Sequence, residues 1–327
     1  MSSNLTSPPT PTNASPDAGT PMPSQSSMAR TIFFGPNGLR AGWRLLIFYG
    51  IVFMLVIVLT GLAQLLHLGG RPAPAILTPF GIGSFEMTLF VLASLSALIM
   101  AKIERRKWGQ YGLPLAGALG GNFWKGTLWG FVSINGTLLV IFALHGFRVT
   151  GLNIHGGTIL AATGAWCVAM LCVGLGEEFA FRGYAQYTLA SGIGFWPAAF
   201  VLSALFGLAH RTNSGETIWG LLSVVVFGML FCLFLRRTGN LWFAVGFHAG
   251  WDWGQTFFYG VPDSGLLPYH NLLNSTFSGP HWLTGGTVGP EASVFTPIAL
   301  LTAAALFSWR YREVRWRGVG TPVSLTD

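Results

Sequence analysis

From Trp43 to Arg310 the sequence is a succession of apolar stretches, most of them about 20 residues long, separated by short polar or glycine-rich breaks. A chain written in this way suits one solvent. Only 9% of its 327 residues are charged and 51% are hydrophobic, whereas a soluble domain carries roughly a quarter charged residues. So few charges cannot clothe a water-soluble globule of this size, and the medium for most of the chain is lipid. The expected fold is all-α: a polytopic membrane helix bundle.

The apolar stretches fall at about 44–66, 80–101, 123–145, 158–190, 195–212, 216–235, 240–258 and 293–310, giving eight expected transmembrane helices. The fourth is longer than a bilayer requires and is expected to run past the membrane surface. Residues 1–30 are a different polymer, rich in Ser, Thr and Pro with almost nothing to bury, and read as a disordered tail. The expected bundle covers 31–318, with its chemistry at about 160–258, and 319–327 is a short second tail.

The net charge of +7 would raise nucleic acid as a partner for a soluble protein. Here the basic residues instead cluster between apolar stretches and report orientation. With the amino terminus inside, Arg30, Arg40, Arg44, Lys102, Arg105, Arg106, Lys107, Arg236, Arg237, Arg310, Arg312, Arg315 and Arg317 fall on one side. Arg71, Arg148 and Arg211 fall on the other. By the positive-inside rule both termini are cytoplasmic in a multi-pass cell (inner) membrane protein, which requires an even number of spans. The expected partners are the lipid bilayer and a membrane protein or peptide substrate, with no nucleic acid. Cys167, Cys172 and Cys232 lie in apolar stretches and read as packing residues.

Charge inside a spanning segment is costly and needs a reason. Glu86, near the start of the second span, reads as structural or interfacial. The remaining charge is concentrated in three short motifs. In Gly176-Glu177-Glu178-Phe179-Ala180-Phe181-Arg182, Arg182 follows Glu178 by four residues and shares its helix face, so the two can pair. That pair is equally what a helix-locking salt bridge looks like. Glu177 points about 100° away, without a local partner, and is suited to take a proton from water and return it to a leaving amine. The second motif, Phe206-Gly207-Leu208-Ala209-His210, and the third, His248-Ala249-Gly250-Trp251-Asp252, carry the histidines.

Depth connects the motifs. Glu177 and His210 lie about equally far from the turn near 191–194, roughly 24 Å at 1.5 Å per residue. His248 and Asp252 lie roughly 14–20 Å down the seventh span on the same measure. The four side chains are expected to meet near mid-membrane, with Gly176, Gly207, Ala209, Ala249 and Gly250 letting the helices approach closely.

The series E-E-x-x-x-R, F-x-x-x-H and H-x-x-x-(N/D), in this order on successive spans, resembles the CAAX protease and bacteriocin-processing (CPBP, or Abi) intramembrane endopeptidases. Trp108-Gly109-Gln110-Tyr111-Gly112-Leu113 is similar to that family's loop ahead of the bundle. The resemblance implies an eight-helix membrane protease. Glu177 would match its catalytic glutamate, Glu178 and Arg182 the supporting pair, His210 a residue that helps activate water, and His248 with Asp252 the pair at the oxyanion. The eukaryotic prenyl-protein proteases carry Asn where this chain has Asp252. An ionised Asp cannot donate to an oxyanion, so Asp252 is expected to orient His248.

Cofactor requirement stays open at this point. Either none is needed, or a single Zn2+ sits at Glu177, His210 and His248, a His₂Glu set with an open position; no H-E-x-x-H motif is present. The preferred expectation is a metal-free general base. Two other functional classes fit the membrane character: a proton-coupled transporter using the same residues as a relay, and a non-catalytic immunity or scaffold protein. No internal repeat supports the former, and complete motifs argue against the latter. Neither the substrate, the oligomeric state nor the role of the 259–292 connection can be read from the sequence.

Overall fold

In the computed structural model, residues 30–35, 38–66, 76–106 and 111–318 are described. The two expected tails fall almost wholly outside them, as do Trp108, Gly109 and Gln110. The described residues up to Arg40 belong to a unit of their own. Within it, Phe34–Gly35 and Gly38–Leu39 make a two-residue antiparallel ladder beside a helical turn at 30–33.

The second unit is a helix bundle, as expected for a chain that must satisfy its backbone hydrogen bonds inside lipid. Its helices are α1 (Ala41–Leu65), α2 (Pro79–Ile103), α3 (Gly121–Ala143), α4 (Gly157–Arg182), α5 (Tyr184–Ile193), α6 (Phe195–Ala209), α7 (Ile218–Thr238), α8 (Trp242–Asp252) and α9 (Phe295–Arg310). The chain is a multi-pass membrane protein. Five helical stretches are individually long and apolar enough to cross: α1, α2, α3, the 37-residue run of α4 and α5, and α7. The other three apolar stretches are shorter. α6 has 15 residues and α9 has 16, and α8 has 11 before it loosens into a six-residue π-helical turn at Trp253–Phe258. The over-long fourth stretch is real, and it breaks at Gly183, where a Cβ would stand 2.4 Å from the Phe179 carbonyl oxygen.

Local chemistry explains the helix starts. Thr78 and Thr217 each accept a hydrogen bond from the backbone N–H three residues on, at 3.1 Å, and so cap α2 and α7. Pro79, at the first position of α2, costs no hydrogen bond there. α7 ends on Gly239 in the left-handed region, φ 78°, a conformation a side chain disfavours.

The helices that carry the third motif are positioned by glycine. α3 and α8 touch through Gly126 and Gly130 on one side and Gly246 and Gly250 on the other. A Cβ at Gly130 would stand 2.0 Å from the Phe247 carbonyl oxygen, and one at Gly250 would stand 2.1 Å from that of Thr127. Both helices thus present a small-x-x-x-small face, and backbone lies directly on backbone. On α4, Gly174 lets Val245 of α8 approach and Gly176 lets Glu86 of α2 approach, with notional Cβ distances of 2.7 and 2.6 Å. α8 is thereby fixed between α3 and α4.

The connection after α8 is built rather than loose. Leu273–Phe277 pairs antiparallel with Phe147–Leu152, with an irregularity between Val149 and Gly151. Leu267–Pro268 pairs parallel with Ile76–Leu77. These short ladders tie the 259–292 segment to the ends of α2 and α3.

Candidate active site

α4, α6 and α8 bring the three motifs to one cavity of about 690 Å³. Glu177, His210, His248 and Asp252 all line it. From Glu177, Oε1 is 4.0 Å from Nε2 of His210 and Oε2 is 3.6 Å from Nε2 of His248. Oδ2 of Asp252 is 3.5 Å from the same His248 nitrogen. The convergence expected from helix depth is therefore observed, although α6 ends at Ala209 and His210 opens a short 3₁₀ turn rather than continuing the helix.

Both histidines are held by Nδ1. That of His210 lies 2.9 Å from the carbonyl oxygen of Phe206, one turn back on α6. A carbonyl only accepts, so Nδ1 carries the proton and Nε2 is left facing Glu177. Nδ1 of His248 lies 3.1 Å from Oε1 of Glu178, a carboxylate also engaged by Nη1 of Arg182 at 3.3 Å. A carboxylate paired in this way is an acceptor, so His248 too is anchored through Nδ1–H, with Nε2 turned to the cavity.

Glu178 thus does more than the i, i+4 pairing with Arg182 expected of it. Glu178 accepts the Nδ1–H hydrogen bond that sets the His248 ring, and Asp252 stands at ion-pair reach of the other nitrogen. Spacing along one helix could show the pairing; the bond across to α8 needed the three-dimensional fold. Both Glu178 and Arg182 are fully buried. The Arg182 guanidinium lies 4.3 Å from the centroid of the Phe206 ring and 5.4 Å from that of Phe231, so two aromatic faces share its charge. Gly228 on α7 leaves room for it, since a Cβ there would stand 2.6 Å from Arg182 Nη2.

Three further carboxylates reach the cavity. Glu86 is 4% exposed and lines it, so of the two expected readings, structural or interfacial, the interfacial one is dropped: α2 leans on Gly176 and turns this side chain inward. Its Oε2 has no hydrogen-bond partner among the described residues. Asp263 and Glu291 come from the 259–292 connection. Thr256 donates its hydroxyl to Asp263 at 2.6 Å, and the Ser264 backbone N–H donates to Glu291 at 3.1 Å. Burial raises the carboxyls of both Asp263 and Glu291, and for Glu291 the neighbouring Asp263 and Asp252 raise it further. No motif or spacing pointed to Asp263 or to the part played by Glu86. Glu291 belongs to Gly289-Pro290-Glu291, which in sequence reads either as the lining of an entrance or as a simple turn.

Side chains that share a metal ion must bring their donor atoms close together. Zinc holds tetrahedral ligands about 2.0–2.1 Å away, hence roughly 3.4 Å apart. The two gaps at Glu177 are wider than that. Among the described residues, the group of three whose donors all lie within 4.8 Å of one another is instead Asp252, Asp263 and Glu291. The His₂Glu triplet does not fit zinc in this arrangement. The all-carboxylate group is an oxygen donor set of the kind hard cations take.

Residues 158–254 match the family model described as Type II CAAX prenyl endopeptidase Rce1-like. That stretch of the chain is similar to the Rce1-like family. The match covers α4 through α8 and with them Glu177, His210, His248 and Asp252, and it agrees with the resemblance drawn from the motifs. It supports a protease of CAAX type acting in the membrane on membrane-associated protein, and it names no substrate for this chain. No curated protein matches the chain.

Proposed function

We propose that this protein is an intramembrane endopeptidase in which Glu177 activates water for attack on a peptide bond of a membrane-associated protein or peptide. The observation that carries the proposal is the aim of two imidazole Nε2 atoms, from two other helices, at one carboxylate within 3.6 and 4.0 Å. These gaps exceed a direct hydrogen bond and suit groups that share a bound water or a substrate oxygen.

In this reading a water lies between Glu177 and Nε2 of His210. Glu177 takes one of its protons as the water oxygen bonds to the scissile carbonyl carbon. The carbonyl oxygen becomes an oxyanion. His248, doubly protonated, donates to Glu178 through Nδ1–H and to the oxyanion through Nε2–H. As the tetrahedral intermediate collapses, the C–N bond breaks and Glu177 delivers its proton to the leaving amine. Asp252 holds the charged ring from the oxyanion side. Arg182 pairs with Glu178 and so helps keep the anchor of His248 in place. No metal takes part.

The cavity wall supports a lipid-modified substrate. Phe48, Val52, Phe85, Leu89 and Ala93 of α1 and α2 give one side of it an apolar lining, which suits a hydrocarbon chain held beside the polar end where the peptide is cut. Purified protein in liposomes should release the C-terminal tripeptide from a prenylated CAAX peptide, as read by mass spectrometry. Cleavage of the prenylated and unprenylated peptides at equal rates would remove the lipid from the account. Cleavage of neither, alongside cleavage of a leader peptide, would move the substrate to the processing class.

A further inference from the structure

A second cavity, about 440 Å³, lies far along the chain from the catalytic motifs, at the ends of α3, α7 and α9. Its walls carry Lys125, Arg237, Arg310, Arg312 and Arg315 against one acid, Glu313. Glu313 is already engaged by Arg315 at 2.8 Å. Among the described residues, neither Lys125 nor Arg310 forms an ion pair. Arg237 donates through Nη1 to the backbone carbonyl of Arg312, while its buried Nε has no partner among the described residues. Four positive charges thus gather in one hollow without neutralisation. α3 begins beside them at Gly121, with no side chain capping its first N–H groups, and such a start adds donors for an anion.

The position of the hollow indicates what kind of anion it takes. Arg237 is in the last turn of α7, Arg310 ends α9 and Lys125 is in the first turns of α3, so the cavity sits where apolar helix gives way to polar chain. Trp124 and Trp309, the neighbours in sequence of Lys125 and Arg310, are 63% and 69% exposed. Exposed tryptophans at helix ends mark the depth of lipid headgroups, and basic pockets between helix ends at that depth bind anionic headgroups.

We propose that this cavity binds the phosphate of an anionic phospholipid headgroup. The lipid bridges α3 and α9 through Lys125 and Arg310 and holds the 311–318 segment, which already lies against α7 through the Arg315 and Trp316 N–H groups donating to the Arg236 carbonyl oxygen.

The test uses full-length protein in liposomes of phosphatidylcholine alone or mixed with phosphatidylglycerol, with native mass spectrometry after extraction and thermal unfolding as readouts. Phosphatidylglycerol should be retained and should raise the unfolding temperature. The exposed pair Arg310→Gln/Arg312→Gln should weaken retention roughly 25-fold, about fivefold for each charge, while unfolding in phosphatidylcholine alone stays unchanged. Arg237→Gln, tested separately, should weaken retention as well. Equal retention by the wild type and the double variant would overturn the site. Equal stabilisation by inorganic phosphate added to phosphatidylcholine liposomes would overturn the lipid in favour of a soluble anion.

Discussion

Nδ1 of His248 lies 3.1 Å from Oε1 of Glu178, the oxygen that Nη1 of Arg182 approaches at 3.3 Å. One carboxylate oxygen thereby joins a fully buried cation on α4 to a cavity-lining imidazole on α8. The pair serves structure and chemistry together, and the two can be separated. Glu178→Ala leaves Arg182 without a counter-charge and should cost about 3–5 kcal/mol, seen as a lower unfolding temperature in detergent. The double variant Glu178→Met/Arg182→Met should recover most of that stability, since apolar replacement of a whole buried pair is close to neutral. It should not recover peptide cleavage, because His248 is still unanchored. Recovery of both would make Glu178 purely structural.

The placement of His248 and Asp252 depends equally on the glycine face between α3 and α8. Gly130→Val puts side-chain carbon where the Phe247 carbonyl stands, 2.0 Å from the new Cβ. Overpacking of this sort costs about 1–3 kcal/mol or more, and it should lower the yield of folded protein and abolish cleavage. Gly136→Val, on the same helix but with open space around it, is the control and should leave both nearly unchanged. Stability and activity are the readouts.

The 259–292 connection should respond to pH. Asp263 and Glu291 both have raised carboxyl pKa values, through burial first. A carboxyl raised on folding favours the folded state while it is protonated there, and that contribution is lost as pH rises from the ordinary carboxylate range through the raised value. The unfolding temperature should therefore fall with rising pH across that window. In Asp263→Asn/Glu291→Gln the slope should flatten. An unchanged slope would place the pH sensitivity elsewhere.

Metal removal should do little to cleavage. The Glu177 gaps of 3.6 and 4.0 Å are wide for zinc ligands, and the proposed proton transfers need none. Dialysis against a chelator should leave the rate unchanged, and elemental analysis of pure protein should find zinc far below one per chain. Stoichiometric zinc lost together with activity would replace the general-base mechanism with a metal-assisted one.

Much of this was legible in the sequence because lipid simplifies the reading. A charge inside an apolar stretch stands out, and helix rise converts sequence distance into depth, so Glu177, His210, His248 and Asp252 could be placed together before any fold was seen. Tertiary contact was harder to read. The Glu178–His248 bond crosses between helices 70 positions apart, and no periodicity along either helix encodes it. Glu86 misled because depth alone cannot say which way a side chain faces; Gly176, which draws α2 inward, decided that. Asp263 sits at a single bridge to Leu266 and Glu291 in one 3₁₀ turn, elements too short for a spacing rule to show which way a side chain faces.

The most direct test of the central claim is cleavage of a verified substrate by Glu177→Gln protein that is folded and still binds it. Gln keeps the shape and removes the base, so turnover should fall by at least about 10²-fold, with substrate affinity and unfolding temperature close to wild type. Full turnover by Glu177→Gln would contradict the account.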